Sequence, residues 1–336
     1  MDKTIAAFGE VMMRLEVPEY KKLHQENTLK YLFSGTGVNV LSGLSQFGYK
    51  TKLVSKLPAN SIGDAALAQL RSLGINTDFV IRGGEYIGMY FLEKGFGIRP
   101  SQVTYTNRKE SVFALSSTLE YEYDTFLEDT DVIHFCGISL ALTENLRETV
   151  VRLATEAKNR GIQVCFDCNY RPKLWESYEQ AKPWYEMMLQ LADICFMSEK
   201  DAMYILGMKT TETTRERQIE DLLPKVAKVY NIHVMAGTIR KEEHIGERKL
   251  KGYIVANGEV TYSGEHGFLV YERIGSGDAF ATGVLHGVLS CMKRQEIVNF
   301  ATAASVYAHT TYGDSPIAQI AEIQKIVKGV SSVIER

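Results

Sequence analysis

The stretch Gln163-Val164-Cys165-Phe166-Asp167-Cys168-Asn169-Tyr170-Arg171-Pro172 decides the class of fold. It opens as an apolar run on consecutive positions, the mark of a strand covered on both faces rather than one alternating between core and water. Asp167, Asn169 and Arg171 then alternate, so in an extended chain they project to one side. An acid, an amide and a guanidinium at a strand's carboxyl end read as a polar ligand site, or else as the start of a solvated loop.

Working outward, runs of the same kind recur at 4–10 (TIAAFGE), 52–57 (KLVSKL), 131–137 (DVIHFCG), 194–199 (ICFMSE) and 233–238 (HVMAGT). Each adjoins a longer segment of 3.6-residue periodicity. These predict helices over Val38–Phe47, Ile62–Leu73, Thr143–Arg160, Tyr178–Leu191, Glu216–Tyr230, Asp278–Ser290 and Gln295–His309. Strands apolar on both faces that alternate with helices imply an α/β fold with a mainly parallel sheet covered on both sides, and ligands beyond the carboxyl ends of its strands. Two excursions, Met12–Phe33 and Gly83–Phe113, mix β-formers with polar residues and carry no long helical stripe. They are expected to form a small separate sheet.

With 336 residues, 45% of them apolar, the chain can bury a large core without disulfides or metals. A net charge of −3, with no block of like charge, disfavours a nucleic-acid partner. The N-terminal apolar run is broken by Gly9, Glu10 and Arg14, so neither a signal peptide nor a membrane span is expected, and a cytoplasmic location is the default reading. The five cysteines fit a reduced compartment. Cys165 and Cys168 form a C-x-x-C, but no second pair follows to complete a zinc site.

The strongest chemical signal is Arg273-Ile274-Gly275-Ser276-Gly277-Asp278-Ala279-Phe280, a glycine turn running into an apolar helix. Free backbone N–H groups and the positive end of the helix dipole make an anion hole there. Asp278, in the first turn, would lie beside a bound phosphate as a proton acceptor, or would act only as a helix-capping acid. Gly35-Thr36-Gly37-Val38-Asn39 offers a second glycine turn, with Asn39 placed to bond a polyol. It lacks the third glycine of a dinucleotide fingerprint, and no P-loop or protein-kinase motif is present.

Together, Gly9-Glu10 after the first strand, the S-G-T-G-V-N helix start, F-D-C-N-Y-R-P-K-L-W, R-I-G-S-G-D-A-F and the late His309-Thr310-Thr311-Tyr312-Gly313-Asp314 resemble the ribokinase (PfkB) family of sugar kinases. Within it the pattern is most similar to 2-keto-3-deoxygluconate kinases, across about residues 5 to 328. The resemblance implies a single three-layer α/β/α domain over residues 1–336, with a β-sheet lid from about 12–33 and 83–113. It also implies ATP and Mg2+ as cofactors, a small sugar acid as substrate and phosphorylation of a hydroxyl. By the same resemblance Asp278 is the catalytic base, and Gly275, Ser276 and Gly277 form the anion hole. Gly35, Asn39, Tyr90 and Tyr105 would contact the sugar, Arg171 and Arg108 its carboxylate, and Asp314 would close from the C-terminal side. Asn169, Ser198, Thr238 and Arg240 would serve the nucleotide.

Three departures from the family pattern stand out. Glu272 and Arg273 replace the usual Asp and Thr at the head of the signature, which favours the acid-sugar branch. Ser198-Glu199-Lys200-Asp201 stands where N-x-x-E is common, so no magnesium ligand is assigned. Tyr105 and Arg108 are separated by two residues where relatives often have one. A fructokinase using the same machinery, or a sugar sensor without turnover, are the rival readings. The lid's apolar residues Tyr31, Phe33, Met89 and Phe91 are too few to bury themselves, so a homo-oligomer formed through the lid is expected.

Overall fold

The computed structural model describes residues 2–244 and 247–329; the remainder of the domain expected over 1–336 lies outside the described residues. Strands in chain order are β1 Thr4–Phe8, β2 Met12–Glu16, β3 Lys30–Ser34, β4 Lys50–Leu57, β5 Val80–Arg82, β6 Gly88–Glu93, β7 Gln102–Thr106, β8 Val132–Cys136, β9 Gln163–Asp167, β10 Ile194–Phe196, β11 Val234–His244, β12 Glu247–Ala256, β13 Glu259–Tyr262 and β14 His266–Leu269. Helices are α1 Thr36–Gln46, α2 Ser61–Ser72, α3 Tyr123–Leu127, α4 Gly137–Leu140, α5 Glu144–Asn159, α6 Tyr178–Leu191, α7 Glu199–Tyr204, α8 Arg215–Tyr230, α9 Ser276–Leu289, α10 Arg294–Ala308 and α11 Ile320–Val327.

The main sheet runs β13-β12-β11-β10-β9-β8-β1-β4-β5, with β14 also paired to β12. From β5 to β11 every pairing is parallel. Burial explains the continuous apolar runs. In β1, Ile5 and Ala7 enter one core layer with Leu41, Leu285 and Val298, while Ala6 and Phe8 enter the other with Phe135, Phe166 and Met188. Every residue of β1 is therefore buried. Helices α1, α2, α9, α10 and α11 cover the first layer and α3 to α8 the second. The C-x-x-C is split between these layers: Cys165 enters one core and Cys168 the other, where its sulfur lies 3.8 Å from that of Cys195.

Local chemistry sets the helix ends. Asn60 accepts the N–H groups of Ile62 and Gly63 at the start of α2, Thr143 caps α5 and Ser177 caps α6. Each predicted helix lies within two residues of an observed one.

One part of the sheet was not anticipated, and one expectation needs correction. β11 continues past HVMAGT and turns back into antiparallel β12, with β13 and β14 beside it. Charged residues at 248, 249 and 251 interrupt the apolar pattern of β12, so it did not read as a buried strand. The correction concerns Asp167, Asn169 and Arg171. The strand ends at Asp167, and Asn169 takes a left-handed conformation with φ +36°, so the three do not share one face of an extended chain.

Strands β3-β2-β6-β7 form a separate four-stranded sheet, β2 pairing antiparallel with β3 and parallel with β6. Register puts Met13, Leu15, Tyr31, Phe33, Met89 and Phe91 on one face, and Met12, Arg14, Tyr90 and Tyr105 on the other. The first face is less bare than its composition suggests. Phe33 is buried in the main core and Met89 packs against it, leaving Tyr31 60% exposed at the far end.

Candidate active site

At the carboxyl ends of the parallel strands lies a cavity of about 640 Å³, roofed by the small sheet, and every residue given a catalytic, sugar or nucleotide role from the sequence lines it. A larger hollow of about 950 Å³ at the opposite ends of the strands, around Thr4, Lys50 and Asp131, holds neither glycine turn. Chemistry rather than size picks out the first.

Gly275 starts α9 with φ +84°. A β-carbon there would stand 1.8 Å from the carbonyl oxygen of Asp314, so both the turn and the contact require glycine. Gly275, Ser276, Gly277 and Asp278 line the cavity at the start of α9, where the helix dipole favours an anion. Ser276 is held by its hydroxyl on the carbonyl of Arg273 (3.0 Å), and Arg240 Nη2 donates to the same hydroxyl at 3.4 Å.

Asp278 is buried beside this turn. Burial pushes its carboxyl up to about 8, although Asn39 Nδ2 donates to its Oδ2 at 2.7 Å and favours the ionised form; Asp167 and Asp314 push it further up. A carboxyl poised in this range suits a general base at neutral pH better than an ordinary Asp. Asn39 is itself held by the Ser315 hydroxyl, which donates to Oδ1 at 3.2 Å. Gly35 has an extended φ of 172°, and what it needs is space: a β-carbon would meet the Glu10 carbonyl oxygen at 2.1 Å.

From the small sheet come Tyr90 and Tyr105, with ring centroids 6.0 Å apart. Arg108 lies over the Tyr105 ring and is paired with Glu10 at 2.9 Å, so its charge is already met within the protein. Asp314 is likewise engaged. It accepts from Ser34 Oγ (2.6 Å), Tyr90 OH (2.7 Å) and Arg14. Arg14 did not stand out in the sequence; the only signal was an Arg and a Glu at alternate positions of an otherwise apolar strand, M-M-R-L-E.

Opposite, Arg171 is exposed at the cavity and donates to the Tyr170 carbonyl at 3.3 Å. Asn169 Nδ2 donates to Cys136 Sγ at 3.2 Å. Ser198 caps α7, its hydroxyl donating to Asp201 Oδ2 at 2.7 Å, while Thr238 and Arg240 line the wall from β11. Burial pushes Asp167 up to about 7, with Arg171 opposing and Asp201 adding to the shift, and burial also raises Asp201. Among the described residues no group of three or more His, Cys, Asp or Glu could hold a metal alone. One or two cavity carboxylates, Asp167 and Asp201, suit an ion that arrives on nucleotide phosphates, which is how Mg2+ is commonly held.

Comparison with known proteins gives one pattern. The pfkB family carbohydrate kinase profile matches residues 2–236. The chain is 26% identical to the 2-dehydro-3-deoxygalactonokinase of Haloferax volcanii, with both sequences covered in full. Its fold superposes on the crystal structure of a provisionally named 2-keto-3-deoxygluconate kinase from Enterococcus faecalis with a TM-score of 0.95, at 39% identity and over 99% of each chain. The 2-dehydro-3-deoxygluconokinase of Thermotoga maritima superposes with a TM-score of 0.94, at 31% identity over 98% of this chain and 99% of the other.

Proposed function

This chain belongs to the pfkB family of carbohydrate kinases, and on that premise we propose that it transfers the γ-phosphoryl group of MgATP to the terminal hydroxyl of 2-keto-3-deoxygluconate. The observation that carries the reading is a buried Asp278 beside the Gly275–Gly277 turn, with the exposed guanidinium of Arg171 lining the same cavity. Asp278 accepts the hydroxyl proton as the new O–P bond forms and the bond to the ADP oxygen breaks, and Asn39 fixes the carboxylate's direction. Backbone N–H groups at the start of α9 meet the charge on the transferring group. Arg171 pairs with the substrate carboxylate in a bidentate fork. Arg108, already neutralised by Glu10, serves as a positioned wall beside Tyr105.

Asp167 and Asp201 would hold the Mg2+ that arrives with the nucleotide, which would supply neutralisation of the phosphate charge. Asn169, Ser198, Thr238 and Arg240 form the nucleotide side. The small sheet, as a lid, excludes water from the reacting groups. Its far end, around Tyr31, packs on a second copy of the chain. The reading places the enzyme in the cytoplasm with its ATP; no helix of the described residues is long and apolar enough to cross a membrane.

A coupled assay under saturating MgATP, run across a panel of keto-deoxy acids and neutral sugars, tests this. A neutral hexose leaves the Arg171 fork without its anion, and sites built for a polar partner reject analogues lacking it strongly. The kcat/KM for 2-keto-3-deoxygluconate is expected to exceed that for fructose or ribose by at least about 10³. Comparable values for fructose would sink the acid-sugar reading and leave a fructokinase in its place.

A further inference from the structure

A buried cluster of charges joins the small sheet to the turn that forms the anion hole. Arg14 on β2 is fully buried. It bonds Glu16 on its own strand, Asp314 in the segment after α10, and Glu272 Oε2 at 2.8 Å. Lys94, just past β6, reaches Glu16 Oε1 and Glu272 Oε2, each at 3.0 Å. Burial works against the charge on Arg14, yet Asp314 and Glu272 hold it protonated beyond its ordinary range.

Two of the three partners of Arg14 lead to the catalytic turn, Glu272 along the chain and Asp314 through space. Glu272 uses its two oxygens in different directions: Oε2 takes the cations from the small sheet, while Oε1 accepts the backbone N–H of Arg273 at 2.9 Å. Arg273 opens the turn that carries Gly275. Asp314 does the equivalent from the other side. Its carboxylate is tied to Arg14, Ser34 and Tyr90, all from the small sheet, and its carbonyl oxygen packs against the α-carbon of Gly275.

We infer that Arg14 is a positioning residue whose guanidinium, by gripping Glu272 and Asp314 together, makes the geometry of the anion hole depend on the docking of the small sheet. The inference rests on the kinase reading of that turn, and not on which sugar is phosphorylated. Buried ion networks are a poor route to stability, since apolar replacements often do as well. A planar fork reaching carboxylates on either side of the turn has a geometric use that an apolar contact lacks. The arrangement lets the phosphate cradle form fully only when the roof is down, which protects ATP from water when no sugar is present.

Arg14→Lys keeps the charge and removes the fork, because one ammonium cannot reach Glu272 and Asp314 in the planar geometry. The expected result is a fall in kcat of about 10- to 100-fold, as for a small misplacement caused away from the chemistry, with KM for MgATP and for the sugar within about threefold. More ATP should be hydrolysed per sugar phosphorylated. Hydrogen–deuterium exchange should quicken across 272–278 and stay unchanged in α6. Glu272→Gln, which weakens the same link from the other end, should move kcat in the same direction. The double variant should lose no more than the worse single variant, as for residues acting along one route.

A folded Arg14→Lys enzyme with kcat within twofold of wild type, or with unchanged exchange across 272–278, overturns the inference. So does a double variant whose losses simply multiply. If Arg14→Lys does not fold, Glu272→Gln decides on the same criteria. The kinetics use whichever sugar in the panel turns over best. A neutral sugar in that place would overturn the substrate reading while leaving the Arg14 result to stand or fall alone.

Discussion

Asp278 concentrates the chemistry in one titration. Its carboxyl is raised to about 8, against an ordinary value of 3.8, chiefly by burial. As the proposed base it would act only when ionised, so kcat/KM is expected to rise with pH toward about 8 rather than to level off near pH 5. The same shift affects stability with a definite sign. Between about pH 4 and 8 the folded chain holds a proton that the unfolded chain has released, so stability is greatest at the acid end of this window and is lost as pH rises through it. Asp278→Asn should therefore lose about 10² to 10⁴ in kcat and yet melt at a higher temperature than wild type at pH 8. The gain should be on the order of 1 kcal/mol or more and shrink toward pH 4. Kinetics and thermal melts on one preparation check both, and near wild-type kcat would remove Asp278 from its role. For Arg171→Met, KM for the acid sugar should rise by roughly 30-fold, corresponding to about 2 kcal/mol for a charged hydrogen bond. KM for ATP should move much less. An equal loss of ATP affinity would reassign Arg171 to the phosphates.

At the scale of elements, two helix starts make the site, and each depends on a backbone close approach. α9 begins at a left-handed glycine pressed on Asp314, and α1 begins at an extended glycine pressed on Glu10. Gly275→Ala should cost about 1–2 kcal/mol for the left-handed conformation alone, and more for the overlap with the Asp314 carbonyl. Moving that turn would displace the N–H groups proposed to hold the phosphoryl group, so kcat should fall by at least about 10². Circular dichroism melts separate the two losses: a variant as stable and as active as wild type would show that the turn has slack.

On the scale of the whole molecule, the small sheet shapes both the cavity and the outer surface. Its inner face carries Arg14, Tyr90 and Tyr105, and the root of its outer face is buried through Phe33 and through Gln69 of α2, which bonds the Phe33 backbone at 3.0 and 2.6 Å. The far end leaves Tyr31 exposed, and it is there that the proposed second copy of the chain would pack. Tyr31→Glu should shift a sedimentation profile toward monomer without unfolding the protein, because the charge meets water in the monomer and an apolar surface in the dimer. An unchanged mass would move the interface elsewhere.

Sequence alone determined what repeats locally. Runs such as TIAAF, apolar on consecutive positions, read as strands buried on both faces, which makes the sheet mainly parallel and puts ligands at its carboxyl end. The R-I-G-S-G-D turn and Asn39 were legible because glycine spacing and a helix start are short-range features. Tertiary structure decided which charges are spent and which remain free to bind. Arg108 and Arg171 look alike as letters, but Glu10, 98 positions from Arg108, takes one and none of the cavity's carboxylates takes the other as an ion-pair partner. Asp314, expected to close on the substrate from the C-terminal side, lines the cavity and also holds Arg14 across 300 positions. Ion pairing depends on distance in space, and for pairs this far apart in the chain that distance exists only after the two sheets have docked.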